Sequence, residues 1–163
     1  MKIYLLRHGN AAASSPTGDE GRELTPEGIA KLEAASTGWQ RVIGPIDRVY
    51  ASPLIRAQQS AQFLHRAAAT KEPVVSTQAL VPSARPIEAL ELLQQAMQEG
   101  KDGVACVGHE PHMGSLLALL LTGSERSAIP FKKGMLCTID VDSTASMIGR
   151  LVCTLTQSAA GNL

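Results

Sequence analysis

Four short apolar runs, each followed by a stretch with helical periodicity, constrain this chain most. Ile3 to Leu6, Arg48 to Ala51, Pro73 to Val75 and Val104 to Gly108 read as strands by length and content. The first helix opens at Leu24-Thr25-Pro26-Glu27-Gly28, with Thr25 as N-cap and Pro26 at the first helical position. Ile29, Leu32, Ser36 and Trp39 mark its apolar face. Ser52-Pro53 repeats the cap-plus-proline start before Leu54, Ala57, Ala61, Leu64 and Ala68. Ile87, Leu90, Leu93 and Met97 form the third helical stripe, and Met113, Leu116, Leu117, Leu120 and Leu121 the fourth, which closes at Gly123. Strands alternating with helices imply an α/β fold with a largely parallel sheet. Val104 to Gly108 is apolar throughout, as a central strand would be. Two alternating segments, Met135/Cys137/Ile139/Val141 and Met147/Gly149/Leu151/Cys153, then predict a C-terminal hairpin.

Residues 1–156 suit a single domain, and the polar, small residues 157–163 read as a frayed tail. The net charge is zero, which argues against a general nucleic-acid or anionic-membrane surface. Any attraction for anions must then be local. Cys106, Cys137 and Cys153 are odd in number and widely spaced, which fits buried reduced thiols rather than a disulfide framework or metal ligands. The first six residues are too short for a signal-peptide core, and Leu116 to Leu121 is far below a membrane span. The expectation is a soluble cytoplasmic protein. No coiled coil or broad apolar face suggests an obligate dimer, so a monomer is expected.

In a parallel sheet the carboxyl ends of the strands share one edge, where open α/β sheets keep their ligand crevice. Arg7 and His8 end the first strand, and Gly9 lets the chain turn sharply there. Arg56 lies in the first turn after the second strand, and His109 ends the fourth. Arg forks bind phosphate oxygens bidentately. The His8 imidazole can attack phosphorus and carry the phosphoryl group covalently. His109 can donate to an equatorial oxygen, and N–H groups entering the helix after it add anion affinity. For His8 to be a nucleophile one nitrogen must be held by a hydrogen bond, with the backbone beside Gly9 as acceptor. The alternative is a chance Arg-His at a strand end.

Arg7-His8-Gly9, Leu24-Thr25-Pro26-Glu27-Gly28, Ser52-Pro53-Leu54-Ile55-Arg56-Ala57 and Gly108-His109 together resemble the histidine phosphatase superfamily, also called phosphoglycerate-mutase-like. The short length resembles its bacterial phosphohistidine phosphatases. The resemblance implies His8 as the phosphorylated nucleophile, with Arg7, Arg56 and His109 completing the phosphate site. It also implies a three-layer α/β/α fold and no metal or organic cofactor.

One departure is informative. Many members carry a carboxylate in the loop after the third strand to protonate a leaving alcohol, whereas Thr77 to Pro86 contains no Asp or Glu. Glu88 lies just inside the next helix, and Asp19, Glu20 and Glu23 lie in a loop read as mobile, Asn10 to Glu23. An alkoxide needs a proton to leave, but phosphorylated imidazole can leave neutral with the proton on its second nitrogen. The absence favours a phosphohistidine substrate on a partner protein. The resemblance adds a phosphotransfer domain of a bacterial relay as that partner. A phosphatase for small phosphomonoesters, using Glu88 or a loop acid, is the first rival; a phosphate-recognising module without turnover is the second.

Other polar residues carry two readings each. Asn10 could touch substrate or stabilise the turn, and His112 could line the site or cap its helix. Ser52 reads as an N-cap, and Glu110 as a donor through its backbone N–H. Lys132-Lys133 reads as a solvated edge device rather than a binding patch. His65, among alanines, reads as a packing or solvated residue.

Overall fold

Ile3 and Leu5 face one way along β1 (Lys2–Arg7), Tyr4 and Leu6 the other, and all four are fully buried. A strand buried on both faces needs a covering layer on each. The structure, a computed structural model, describes residues 1–125 and 129–163. The remaining strands are β2 (Arg48–Ala51), β3 (Val75–Ser76), β4 (Gly103–Gly108), β5 (Leu136–Asp140) and β6 (Arg150–Leu155). They form one sheet in the order β3-β2-β4-β1-β5-β6. The first four strands in that order are parallel; β5 is antiparallel to β1, and β6 to β5.

On one face, α1 (Pro26–Val42), α2 (Ile55–Ala67) and α5 (Gln157–Ala160) cover Tyr4, Leu6, Val49, Ala105 and Val107. On the other, α3 (Pro86–Gln98) and α4 (His112–Thr122) cover Ile3, Leu5, Tyr50, Val104 and Cys106. The result is the expected three-layer α/β/α sandwich, with β4 central and buried along its length. Thr25 caps α1 as its sequence predicts, its hydroxyl accepting from the Gly28 N–H at 3.0 Å, and Gly123 ends α4 in the left-handed conformation. All three cysteines are free; burial pushes the Cys106 and Cys137 thiols up to about 12. Among the described residues no helix is long and apolar enough to cross a membrane.

Several local expectations are corrected. The buried face of α1 is Gly28, Leu32, Ala35, Gly38 and Trp39, while Ile29 is 43% exposed. Small residues set this face: a Cβ on Gly28 would lie 2.2 Å from the Asn10 carbonyl oxygen, and one on Gly38 2.0 Å from that of Ala160. The third strand is Val75–Ser76 rather than Pro73–Val75, because its pairing to Tyr50 and Ala51 leaves out Pro73. Residues 157–163, read as frayed, include α5; the Thr156 hydroxyl accepts from the Ala159 N–H, and Ala160 is buried against α1. The loop from Asn10 to Glu23 is tied down by a bridge between Ala11 and Leu24, a 3-10 turn at Asp19–Gly21 and the Asp19 contacts described below.

Candidate active site

Parallel pairing of β1, β4 and β2 sends His8, His109 and the start of α2 to the same sheet edge. The His8 and His109 rings lie 5.0 Å apart, inclined by 55°. His8 is 6% exposed, Arg56 4% and His109 2%, so three polar side chains that are costly to bury are buried together.

The backbone of His8 is fixed from both sides. Its N–H donates to the Gly108 carbonyl at 3.0 Å, and its own carbonyl, with that of Arg7, accepts from the Gly134 N–H. The expected acceptor beside Gly9 is present: His8 Nδ1 donates to the Gly9 carbonyl oxygen at 2.7 Å. That bond fixes the tautomer and leaves Nε2 with a free lone pair. Burial is the main cause that lowers the His8 pKa to about 4; the Gly9 carbonyl opposes it, and Arg56, Arg7 and Lys133 add to it. The ring is therefore neutral near pH 7.

Gly9 donates its N–H to the Ser60 hydroxyl at 3.1 Å, and that hydroxyl donates to the Arg56 carbonyl at 2.7 Å. Ser60 thus ties the turn after β1 to the first turn of α2. The Arg56 guanidinium donates to both the carbonyl and the carboxylate of Asp19, at 2.7 and 2.8 Å. Arg22 holds the same carboxylate at 2.7 Å, and with Arg56 it keeps the Asp19 carboxyl below the usual range. Arg7 donates to the Phe131 carbonyl at 2.6 Å, so the segment before β5 orients it.

His109 Nε2 shares a 2.8 Å hydrogen bond with the fully buried Ser52 hydroxyl. Burial is the main cause that lowers the His109 pKa to about 3, with His8 and Arg56 contributing. Arg7 Nε, Arg56 Nε and His109 Nδ1 are buried without a partner among the described residues. Two of these are permanently cationic donors, and an oxyanion is the chemistry that satisfies them. No group of three or more described His, Cys, Asp or Glu residues is placed to hold a metal ion.

Other expected residues stand further back. Asn10 works through its carbonyl, which accepts from the Thr25 N–H and pins the start of α1. The Glu110 carboxyl turns towards the backbone of Gly114 and Phe131, and burial raises its pKa. His112 is buried at the start of α4 beside the Arg85 carbonyl and Glu88, and caps nothing. Ser52 is not the N-cap of α2; that position is Leu54. Glu88 pairs with Arg85 at 3.2 Å. His65 bonds to the Glu72 carbonyl, away from the site. Ser60, Phe131 and the contact of Ser52 with His109 leave no signal in the sequence, because each acts across long separations in the chain.

Known proteins resemble this chain in sequence and in fold. The model of the histidine phosphatase superfamily (branch 1) matches residues 3–81. The phosphohistidine phosphatase SixA of Escherichia coli (strain K12) is 30% identical over 129 residues, 76% of this chain and 76% of that protein. The phosphohistidine phosphatase SixA homolog of Haemophilus influenzae is 26% identical over 156 residues, 91% of this chain and 93% of that protein. The solved structure of the protein histidine phosphatase SixA complexed with tungstate superposes with a TM-score of 0.85 at 24% identity. It covers 97% of this chain and 98% of that one.

Proposed function

The chain belongs to the histidine phosphatase superfamily and is a phosphatase, and we propose that its substrate is a phosphohistidine on a partner protein. His8 Nε2 attacks phosphorus while the bond from phosphorus to the substrate ring nitrogen breaks. The substrate imidazole leaves neutral, its other nitrogen carrying the proton. Water then attacks the phosphoryl group on His8, releasing inorganic phosphate and the neutral imidazole. Arg7 and Arg56 hold the phosphoryl oxygens, and His109, oriented by Ser52, stabilises the charge that builds on them. The backbone N–H at Glu110 adds a donor to the substrate site, and Asn10 supports it from behind by holding the start of α1. The chain acts as a single domain that includes α5, in the cytoplasm and as a monomer, on a phosphotransfer domain.

The observation that carries this reading is the state of the carboxylates. The loop after β3 has none from Thr77 to Pro86. Glu88 is paired with Arg85. Asp19 alone of the candidate acids contacts Arg56, and two guanidinium groups keep it ionised. An ionised carboxylate cannot protonate a leaving alkoxide, whereas an imidazole needs no such donor. The names of the SixA relatives support the same substrate class.

The test is phosphate release from a phosphohistidine-bearing domain and from an aryl phosphate, side by side, with wild type and His8→Ala. Preference for phosphohistidine, lost in the variant, is expected. Preference for the aryl ester would transfer the assignment to small phosphomonoesters.

A further inference from the structure

Lys132 and Lys133 do not guard an edge. They precede β5, which pairs with β1 on one side and β6 on the other, so no unpaired strand lies there. The next residue, Gly134, donates to the carbonyls of Arg7 and His8, which anchors the lysine pair beside the catalytic turn. Both lysines are exposed, and among the described residues neither takes part in an ion pair.

With Lys31 of α1, they line a cleft of about 450 Å³ that extends to Gln157 and Asn162 beyond β6. No described residue lining it is a carboxylate. Lys31 meets Glu27 in an exposed pair at 2.5 Å, so Lys132 and Lys133 are the cleft's lysines without an ion-pair partner among the described residues. On the other side of His8 along the same sheet edge, a cleft of about 440 Å³ lies between Asp19, Glu20 and Leu54 and the loop from Gln78 to Ser83. That cleft carries carboxylates and no lysine or arginine. In a chain of zero net charge, the site is flanked by the ammonium groups of Lys132 and Lys133 towards β5 and β6 and, since Arg22 and Arg56 hold Asp19, by the Glu20 carboxylate towards β2 and β3.

We propose that the cleft formed by Lys31, Lys132 and Lys133 docks an acidic flank of the protein that carries the phosphohistidine. The docking surface rests on the phosphohistidine reading above. A phosphohistidine held on a folded domain brings that domain's surface against the rim of the site, whereas a small substrate does not reach the rim. Rim charges of opposite sign steer the encounter and fix which way round the partner sits, because the reversed orientation sets like charges against each other.

The experiment uses phosphotransfer domains phosphorylated on histidine in two versions: one with carboxylates flanking the phosphohistidine, one with those carboxylates changed to amides. The small probe is the free phosphohistidine amino acid. Lys31→Glu/Lys132→Glu is compared with wild type; Lys133 is left in place because it acts on His8. For the acidic domain the double variant is expected to lose about tenfold in kcat/KM, through KM, as charge reversal at a steering rim does. Turnover of the free amino acid should change less than about twofold, and raising salt from about 0.05 to about 0.5 M should weaken wild type on the acidic domain alone. Equal turnover of the acidic domain by wild type and variant, or of the two domain versions by wild type, would overturn the docking surface while leaving the substrate reading intact. Failure of wild type on every phosphohistidine substrate, with aryl phosphate hydrolysed, would overturn the substrate reading itself.

Discussion

Asp19 and Arg56 lie 37 residues apart in the chain, yet the carbonyl and the carboxylate of Asp19 both accept from the Arg56 guanidinium, at 2.7 and 2.8 Å. The arginine is 4% exposed, and its anion-binding fork is already engaged by a carboxylate. A phosphoryl group arriving at Arg56 competes with that carboxylate for the same donors.

Asp19→Asn therefore separates two roles. As a competitor, its loss should strengthen inhibition by inorganic phosphate by about three- to tenfold, the scale of one weakened charge-assisted bond. Phosphohistidine turnover should stay within about tenfold of wild type. Were Asp19 a proton donor, the variant would instead lose aryl phosphate turnover by about a hundredfold or more. Steady-state kinetics on both substrates decides.

Ser52→Ala removes the hydroxyl that orients His109. The expected loss in kcat is about ten- to a hundredfold, with little change in KM, because the proposed mechanism has His109 act on charge that develops in the transition state. Chemical denaturation should show about 1–3 kcal/mol lost as well, because a buried ring nitrogen is left without its partner.

Acid should affect stability before it affects the charge state of the folded site. The folded-state pKa values of His8 and His109 are lowered to about 4 and about 3, chiefly by burial, from the usual 6.5. Between those values and 6.5 the unfolded chain binds protons that the folded chain does not, so stability falls as pH drops through that window and is fully present above it. Each proton bound only by the unfolded chain costs about 1.4 kcal/mol per pH unit, so the loss by pH 4 is on the order of a few kcal/mol. Denaturation midpoints from pH 7 to pH 4 test it. Over the same range kcat/KM for an aryl phosphate should show no limb near pH 6.5 from either ring. A limb there that vanishes in His109→Gln would contradict the neutral pair.

Gly28→Ala places a methyl group 2.2 Å from the Asn10 carbonyl oxygen. Backbone must move, and the moving segment follows His8 directly. The expected cost is about 1–3 kcal/mol of stability, the scale of overpacking, together with reduced kcat. Thermal unfolding and turnover should fall together.

Much of this site is legible in the sequence because strand-helix alternation assigns direction as well as type. Arg7, His8, Arg56 and His109 each stand at the end of a strand or the start of a helix, and parallel pairing gathers such positions at one edge. The Gly9 acceptor is legible because it is the neighbouring residue. Ser60 is not: it meets Gly9 across 51 residues, and its place on α2 has no pattern of its own. The buried face of α1 is hidden for a different reason, since Gly28 and Gly38 serve close backbone approach and contribute nothing to hydrophobic periodicity. The lysine cleft depends on strand order, which places β5 inside the sheet.

The most direct test of His8 as the nucleophile is to trap the covalent intermediate. Wild-type enzyme is mixed with a radiolabelled phosphohistidine-bearing domain, quenched in alkali during turnover and digested. The expected result is an acid-labile, alkali-stable label on the peptide that contains His8, absent in His8→Ala. Full turnover by His8→Ala, or label mapped to another residue, would contradict it.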